Sequence, residues 1–217
     1  MTSLNIQLHY WNGAGAGKTF SHPVPLQRLR ALLPPTAAIL DYGCGYGRTC
    51  AELAQAGFTR VTGADPSEAL IQRGLREHPG LDLRLASGPP LPFAPGSFDA
   101  CLLLAVLTCV PTDAGAQALV RECARLLKPG GLLFVSDYPL QPDERNRARY
   151  EQYAAEFGCH GVFRSGEAVF RHYQPQHLDQ LLHGFQPLWR QELSVRTLNG
   201  NAATIVQMGV RKKAEGE

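Results

Sequence analysis

The feature that most constrains this chain is a run of ten residues, Phe98 to Leu107 (FDACLLLAVL), in which Asp99 is the only charged side chain. A strand with one face in water alternates apolar and polar residues, whereas a strand covered on both faces is apolar almost throughout. Sheets covered on both faces are built mainly from parallel strands joined by helices. The run therefore predicts the central strand of a parallel α/β sheet.

Shorter apolar runs and helical patterns alternate around this strand, as right-handed strand–helix–strand units require. The predicted strands are 37–43, 60–66, 81–87, 98–107 and 132–138, and the predicted helices are 48–58, 68–78 and 113–127. Ser67 is placed to cap the second helix, whose apolar stripe we predict as Leu70, Ile71, Leu75 and His78. The Lys-Pro-Gly-Gly of 128–131 is predicted to separate the third helix from the last strand.

Composition excludes several classes of protein. With 217 residues, 44% hydrophobic and 18% charged, the chain predicts one globular core with room for an attached cap. The net charge of +2 gives no electrostatic footprint for nucleic acid, and no apolar stretch or signal pattern points to a membrane, so we expect a cytoplasmic protein. The six cysteines form no C-x-x-C pair and no ligand-spaced cluster with histidine, which predicts no metal site and no disulfide.

The stretch GAGAGKT, residues 13–19, looks at first like a triphosphate-binding loop. A loop of that kind has the pattern G-x-x-x-x-G-K-T and joins a buried strand to a helix, whereas this chain has Asn12 at the first glycine. The preceding LNIQLHYW is half polar, and Pro23 and Pro25 follow where a helix should begin. We therefore predict a flexible, Gly-rich N-terminal arm.

The turn after the first predicted strand, DYGCGYGR (41–48), lies where open parallel sheets bind ligands. Gly43, Gly45 and Gly47 allow positive φ and leave no Cβ, so that a ligand can lie against the backbone. The dinucleotide fingerprint would need a glycine where this chain has Arg48, which disfavours NAD and FAD. Asp65 ends the second strand and is placed to accept both hydroxyls of a ribose; the alternative is a surface turn residue.

Four segments together carry a specific resemblance: ILDYGCGYGRT, GADPSEALI, LPFAPGSFDACLLLAVL and LLKPGGLLFVSDY. Their order and spacing resemble those of the class I S-adenosylmethionine-dependent methyltransferases, and most closely the small-molecule type called methyltransferase type 11, over residues 37–138. The resemblance implies a Rossmann-like, seven-stranded, mostly parallel sheet with helices on both faces and an antiparallel edge strand. It also implies S-adenosylmethionine as cofactor and S-adenosylhomocysteine as product.

The resemblance assigns cofactor roles to residues at the strand ends. Asp41 would help to hold the cofactor's ammonium group, Asp65 its ribose, and the backbone carbonyl of Leu104 its amino end. Pro66 and Ser67 would lie beside the adenine, and Ser87 stands where the family often has an acid for the adenine amino group. The implied cofactor-binding residues are Asp41, Gly43, Cys44, Gly45, Gly47, Asp65, Pro66, Ser67, Ser87, Gly88 and Leu104.

The catalytic residues stay open at this point. Thr108 and Cys109 replace a Glu-His pair common in relatives, which removes a histidine base there, and core packing explains Cys109 equally well. Methyl transfer from a sulfonium mostly requires that donor and acceptor be held in near-attack geometry with water excluded. For an O–H or N–H acceptor, the candidate bases are His22, His172, Tyr138 and Tyr10.

Two segments outside the core are candidates to cover the site. The N-terminal arm carries Tyr10 and Trp11, and relatives use this segment as a lid; a disordered tail is the alternative. The long connection 139–174 is predicted to be a cap in which Tyr150, Arg171 and His172 line an acceptor pocket. Arginines there favour an acceptor with a negative group, and a helix with a solvated basic face is the alternative.

These patterns divide the chain into an N-terminal arm and first helix (1–36), a cofactor-binding core (37–138), a cap insertion (139–174), and a C-terminal helix with an edge hairpin (175–217) that completes the same domain. The predicted function is S-adenosylmethionine-dependent methyl transfer to a small-molecule acceptor by in-line displacement. We expect a monomer or homodimer without a nucleic-acid partner. The alternatives are a non-catalytic S-adenosylmethionine sensor and, less favoured by the glycine spacing, an NAD-dependent oxidoreductase.

Overall fold

The computed structural model describes residues 3–213, so residues 1–2 of the predicted arm and 214–217 of the predicted C-terminal segment lie outside the described residues. The helices are α1 (Ser3–Asn12), α2 (Leu26–Leu32), α3 (Arg48–Gln55), α4 (Glu68–Glu77), α5 (Asp113–Leu126), α6 (Glu144–Phe157) and α7 (Pro175–Leu181). The strands are β1 (Ala38–Tyr42), β2 (Arg60–Asp65), β3 (Asp82–Leu85), β4 (Phe98–Leu104), β5 (Leu127–Asp137), β6 (Val162–Ser165), β7 (Ala168–Arg171), β8 (Phe185–Arg196) and β9 (Ala202–Lys212).

Seven strands form one sheet in the order β3-β2-β1-β4-β5-β9-β8. The first five strands pair in parallel. At one edge of the sheet, β9 pairs antiparallel with β5 and β8 pairs antiparallel with β9, which confirms the predicted fold class. Strand β4 is apolar apart from Asp99 because its side chains pack into a hydrophobic cluster on each face of the sheet. Cys101 and Leu103 belong to the cluster on one face, whereas Ala100 and Leu102 belong to the cluster on the other.

Three local predictions were wrong, each for a physical reason. Strand β4 ends at Leu104 and not at 107, because Ala105 adopts a left-handed φ of 55° and turns the chain into a 3₁₀ turn, Leu107–Cys109. Strand β5 begins at Leu127, since the Lys-Pro-Gly-Gly residues form an irregularity inside the strand rather than a linker before it. Leu75 is 37% exposed, and Gly74 takes the buried position on α4.

The N-terminal segment is not the flexible arm that its glycines predicted. Residues 3–12 form helix α1, because its C-terminal end is hydrogen-bonded to α4: the Asn12 side-chain oxygen accepts from Ser67 Oγ at 2.9 Å and from Ala69 N at 3.1 Å. Arg73 of α4 then donates to the carbonyl oxygens of Ala16 and Lys18 at 3.1 and 2.8 Å. The glycine stretch thus follows a helix and precedes extended residues, unlike a triphosphate loop.

Residues 139–174, called the inserted unit below, contain α6 and the antiparallel hairpin β6–β7. The Asp143 side chain caps α6 by accepting from Asn146 N at 3.1 Å, and Gly158 ends the helix at φ 61°. The buried Tyr173 hydroxyl lies 3.0 Å from the carbonyl oxygens of Leu107 and Val110, which ties the unit to the end of β4. Helix α7 begins at Pro175, as predicted.

None of the helices in residues 3–213 combines the length and the apolar character that crossing a bilayer requires. In the same part of the chain, no three His, Cys, Asp or Glu side chains are grouped in a way that would hold a metal ion.

Candidate active site

A cavity of about 460 Å³ opens at the carboxyl ends of β1, β2, β4 and β5, a volume typical of small-molecule sites. The strand ends supply Asp41–Cys44, Asp65, Leu104–Val106 and Tyr138 to its wall. Residues from α1, from the inserted unit and from the turn between β8 and β9 enclose it from above. The cavity therefore begins at the sheet and ends under the N-terminal segment and the inserted unit.

The glycine turn after β1 is shaped by close contacts with its neighbours. Gly43 has φ 79°, and a Cβ there would lie 2.6 Å from Cγ2 of Val106. The backbone N–H groups of Gly43 and Cys44 both donate to the carbonyl oxygen of Ala64, at 2.7 and 3.2 Å. The turn is thus fixed against β2, and only glycine fits at position 43 without displacing the residue after β4.

Asp65 is held rigidly at the end of β2. Its Oδ2 accepts from Gly45 N at 2.9 Å and its Oδ1 from Ser67 N at 2.8 Å. Burial raises the pKa of Asp65 to about 6, although these two N–H donors lower it. The carboxylate therefore spans the glycine turn and the cap of α4, on the wall of the cavity.

Asp41 lies on the neighbouring strand and is 2% exposed. Burial raises its pKa to about 7, against the opposing effects of the Cys50 thiol, which donates to Oδ2 at 3.6 Å, and of the Arg48 guanidinium. Two buried acids thus line one end of the cavity, and each lies at the carboxyl end of a parallel strand.

The structure separates the predicted cofactor residues into two sets. Those that line the cavity are Asp41, Gly43, Cys44, Asp65, Pro66, Gly88 and Leu104, and those that do not are Gly45, Gly47, Ser67 and Ser87. The Phe20 ring covers Gly45 so closely that a Cβ there would lie 2.1 Å from Cε2, and Trp11 and Asn12 cover the Ser67 hydroxyl. The Ser87 side chain is exposed to solvent.

Three candidate bases meet on the far wall of the cavity. The Tyr138 ring contacts His22 on one side, with centroids 4.8 Å apart, and stacks on His172 on the other, at 5.2 Å and 20°. Nδ1 of His22 lies 3.1 Å from Ser136 Oγ, and its buried Nε2 has no hydrogen-bond partner among residues 3–213. Burial, followed by the charge of Arg48, lowers the pKa of His22 to about 4, so this imidazole is neutral.

His172 is oriented by a tyrosine that does not itself line the cavity. The Tyr150 hydroxyl lies 2.6 Å from His172 Nδ1 and accepts a hydrogen bond from Gln141 N at 3.1 Å. Burial and the neighbouring Arg149 and Arg145 lower the pKa of His172 to about 3. Tyr150 therefore acts on the site through His172.

The other predicted acceptor and lid residues differ in position. Trp11 lines the cavity, whereas Tyr10 lies behind it and packs edge-on against Trp11 and Phe170. Arg171 lies outside the cavity and is 4% exposed, because it pairs with Asp113 at 2.6 Å and lies 3.0 Å from His177 Nδ1. Arg171 joins the inserted unit to α5 and α7.

Several residues on the wall carry no local sequence signal. Gln7 Nε2 donates to the carbonyl oxygens of Cys109, at 3.0 Å, and of Val169, so that α1 bridges the 3₁₀ turn and β7. Arg48 lines the cavity and donates to the carbonyl oxygen of His22 at 2.5 Å. The turn 197–201 reaches the cavity from the far edge of the sheet, and Lys18 Nζ lies 3.2 Å from Asn199 Oδ1.

Comparison with known proteins agrees with this geometry. Residues 40–135 match the Methyltransf_11 family, described as a methyltransferase domain. A ubiquinone biosynthesis O-methyltransferase from Xanthomonas oryzae pv. oryzae is 36% identical over 135 residues, which cover 58% of this chain and 55% of that protein. The chain thus matches about half the length of these curated relatives.

Solved structures resemble nearly the whole chain. A S-adenosylmethionine-dependent methyltransferase from Methanosarcina mazei has a TM-score of 0.81 and 26% identity, and covers 89% of this chain and 99% of its own. The cyclase SpnF has a TM-score of 0.71 over 99% of this chain and 98% of its own, but at 16% identity it shows the fold alone.

The residues present fit S-adenosylmethionine as the cofactor. Asp41 offers a buried anion to an ammonium group, Asp65 offers acceptor oxygens to ribose hydroxyls, and the position of Gly43 has no room for a Cβ. The family match and the Methanosarcina structure imply the same cofactor. The resemblance predicted from the sequence is thus confirmed, and residues 40–135 are a class I S-adenosylmethionine-dependent methyltransferase domain.

Proposed function

We propose that the whole chain transfers a methyl group from S-adenosylmethionine to a small-molecule acceptor with an O–H or N–H group. One observation carries the proposal: a single cavity joins the two buried acids at the ends of β1 and β2 to the pair of neutral histidines beside Tyr138. The acids suit the cofactor, and the far wall suits an acceptor. A hydroxyl acceptor is supported by the Xanthomonas relatives, which are named as O-methyltransferases.

The chain's own part in the reaction is to bind, orient and exclude water. The cofactor supplies the activated methyl group. Asp41 and Asp65 hold the cofactor's polar groups at the strand ends, and the apolar wall of Val106, Val110 and Leu119 presses the acceptor toward it. Placing two reactants in near-attack geometry contributes up to about 7–11 kcal/mol to rate acceleration.

His22 is the proton acceptor in this proposal. His22 lines the cavity, and its buried Nε2 has no hydrogen-bond partner among residues 3–213. Because the pKa of His22 is about 4, the imidazole is neutral above about pH 4 and can accept a proton. Tyr138 is a poorer base because burial raises the pKa of its hydroxyl far above the usual value. His172 has its Nδ1 committed to Tyr150.

The segment from α1 to Phe20 is the lid in this proposal. Trp11 and Phe20 line the cavity, and the Phe20 ring packs on Gly45 of the cofactor turn. The segment must open for the cofactor to enter, because its contacts with α4 and β7 close the cavity from above. The inserted unit acts as the second half of the cover and carries acceptor-side residues.

Further parts of the proposal concern the setting of the protein. Action without a nucleic-acid partner is supported by the net charge of +2. A cytoplasmic location is supported by six free cysteines, which suit a reducing compartment. We propose a monomer or a homodimer.

The test of the proposal is titration of S-adenosylhomocysteine into the protein and into two variants. Asp65→Asn removes a charged acceptor from the cavity and is expected to weaken binding about 10- to 100-fold, as expected for hydrogen bonds to a charged group. Asp82→Asn, on the exposed start of β3, is the matched control and is expected to bind like the unmodified protein. Absence of binding to the unmodified protein would rule out the assignment.

A second measurement separates an enzyme from a sensor. Release of S-adenosylhomocysteine from S-adenosylmethionine is followed with a panel of hydroxyl and amine acceptors, for the unmodified protein and for His22→Gln. Acceptor-dependent turnover that falls at least about 100-fold in His22→Gln, with cofactor binding kept, supports His22 as general base. Tight binding without turnover on any acceptor favours the sensor.

A further inference from the structure

Arg149 of α6 carries an unpaired charge on the acceptor side of the cavity. Its guanidinium carbon lies 3.6 Å from the centroid of the Phe163 ring, and its Nε is buried without a hydrogen-bond partner among residues 3–213. Within the same residues, no carboxylate lies within 4.0 Å of its nitrogen atoms, whereas Arg145, Arg164 and Arg171 of the inserted unit do form such pairs. Burial lowers its pKa.

An arrangement of this kind is costly in the free protein. A guanidinium that is partly removed from water loses solvation, and a carboxylate or phosphate partner normally offsets that loss. The planar fork of arginine is suited to bind such an anion through two parallel N–H donors. The Phe163 ring fixes the plane of the guanidinium by stacking but neutralises no charge.

His172 supplies a second donor beside Arg149. The Tyr150 oxygen accepts from Gln141 N, and we assign the Tyr150 O–H as the donor to Nδ1 of His172, the tautomer that the anion site requires. The proton of the neutral imidazole then lies on Nε2, the ring nitrogen that Tyr150 does not contact, in a residue that lines the cavity. Both groups pack on Phe163, whose ring centroid lies 4.9 Å from that of His172. His172 is thus a hydrogen-bond donor at this place and not a base.

The wall contributed by the inserted unit carries two arginines, two phenylalanines and two polar neutral side chains. Its lining residues are Arg145, Arg149, Phe163, Ser165, Phe170 and His172, and none of them is an acid. Asp143 of the same unit pairs with Arg145, whose Nε lies 3.8 Å from Asp143 Oδ1. An occupant with an apolar body and one anionic end fits this wall, whereas a cation does not.

We propose that the methyl acceptor is an anion, and that Arg149, with Nε2–H of His172, binds its carboxylate or a group of the same charge and shape. The inference rests on the proposed function, since it names the substrate class of that site. It assigns Arg149 as a residue that determines specificity, on the wall contributed by the inserted unit and not at the ends of β1 and β2.

The test compares an anion with a neutral molecule of the same shape. Benzoate and benzamide are titrated into protein saturated with S-adenosylhomocysteine, and benzoate is expected to bind at least about 10-fold more tightly. Arg149→Gln is expected to abolish this preference by weakening benzoate binding far more than benzamide binding, and His172→Phe to reduce it by a smaller factor. Arg147→Gln, exposed on the same helix, removes one charge of the same sign and is expected to keep the preference.

Equal binding of the two probes, no binding of benzoate, or the same loss in Arg147→Gln as in Arg149→Gln would overturn the inference. The cofactor titration separates this failure from failure of the proposed function. If S-adenosylhomocysteine binds and the anion preference is absent, only the acceptor class is wrong. If the preference is present but S-adenosylhomocysteine does not bind, the anion site stands and the methyltransferase proposal does not.

Discussion

Burial shifts the pKa values of the acids and histidines around the cavity in the direction that favours their uncharged forms. Burial raises the pKa of Asp41 to about 7 and that of Asp65 to about 6, and it lowers the pKa of His22 to about 4. Burial likewise raises the pKa of Asp137 to about 7, although its carboxylate accepts from the backbone N–H groups of Thr108 and Tyr138. A ligand that brings a positive charge to the acids changes this balance.

Cofactor binding is therefore expected to release protons near pH 6. At that pH Asp41 is mostly protonated in the free protein, since its pKa is about 7. An ammonium group beside it favours the carboxylate and lowers its pKa, so a proton leaves on binding. Above about pH 8 the carboxylate is already ionised, and the release disappears. The affinity consequently rises with pH up to about 8 and is flat above it.

The measurement is titration of S-adenosylhomocysteine at pH 6 and pH 8.5 in buffers of different ionisation enthalpy. Asp41→Asn is expected to bind more weakly and to release fewer protons at pH 6, because its amide does not titrate. Equal proton release at both pH values, or proton uptake at pH 6, would contradict the assignment of Asp41 to the ammonium group.

At the scale of elements, the glycine turn after β1 depends on a contact that its sequence does not contain. A Cβ at Gly43 meets Val106, which follows β4, whereas a Cβ at Gly57 meets nothing within 4 Å. Both glycines have positive φ, at 79° and 95°. Substituting either by alanine therefore costs about 1–2 kcal/mol of backbone strain, and only position 43 adds a clash.

Gly57→Ala is thus expected to lower the free energy of unfolding by about 1 kcal/mol and to leave cofactor affinity unchanged. Gly43→Ala is expected to lower both, because the turn must move away from Val106 and so from the cavity. Chemical denaturation and S-adenosylhomocysteine titration of the two variants measure this difference. If both variants bind the cofactor equally well, the contact with Val106 does not shape the site.

The sequence predicted those elements whose signals are local. The strands and helices between 37 and 138 follow from apolar periodicity, and the cap at Ser67 follows from residue type, since its Oγ accepts from Leu70 N at 3.2 Å. The helix over residues 3–12 was missed because the neighbouring glycines dominated the pattern. Its stability comes from Asn12 and Gln7, whose partners lie 55 to 162 residues away in the chain.

The site was predictable to the same extent and for the same reason. The acids at the ends of β1 and β2 lie at positions fixed by strand register, so the alternation of strands and helices located them. The roles of His172 and Arg149 depend instead on which groups surround them. Arg171 resembles Arg149 in sequence context, yet one pairs with Asp113 and the other faces the cavity, and no local pattern separates the two.

At the scale of the whole molecule, the N-terminal segment, the inserted unit and the turn 197–201 close one cavity, and the Gln7 side chain joins the first two by hydrogen bonds. Gln7 of α1 donates both to the 3₁₀ turn after β4 and to β7 of the inserted unit, and it is 6% exposed. In the proposed lid, this residue couples closure of the N-terminal segment over the cofactor to the position of the inserted unit. Loss of the side chain should uncouple the two without disturbing the strand ends.

Hydrogen exchange measures this coupling directly. In the unmodified protein, S-adenosylhomocysteine is expected to slow exchange in the turn after β1, in α1 and in β7 together. In Gln7→Ala, protection of the turn after β1 persists while that of α1 and β7 falls, because the bridging hydrogen bonds are gone. Gln180→Ala, an exposed glutamine of α7, is the control and keeps the original pattern. Protection confined to the strand ends in the unmodified protein would show that α1 does not act as a lid.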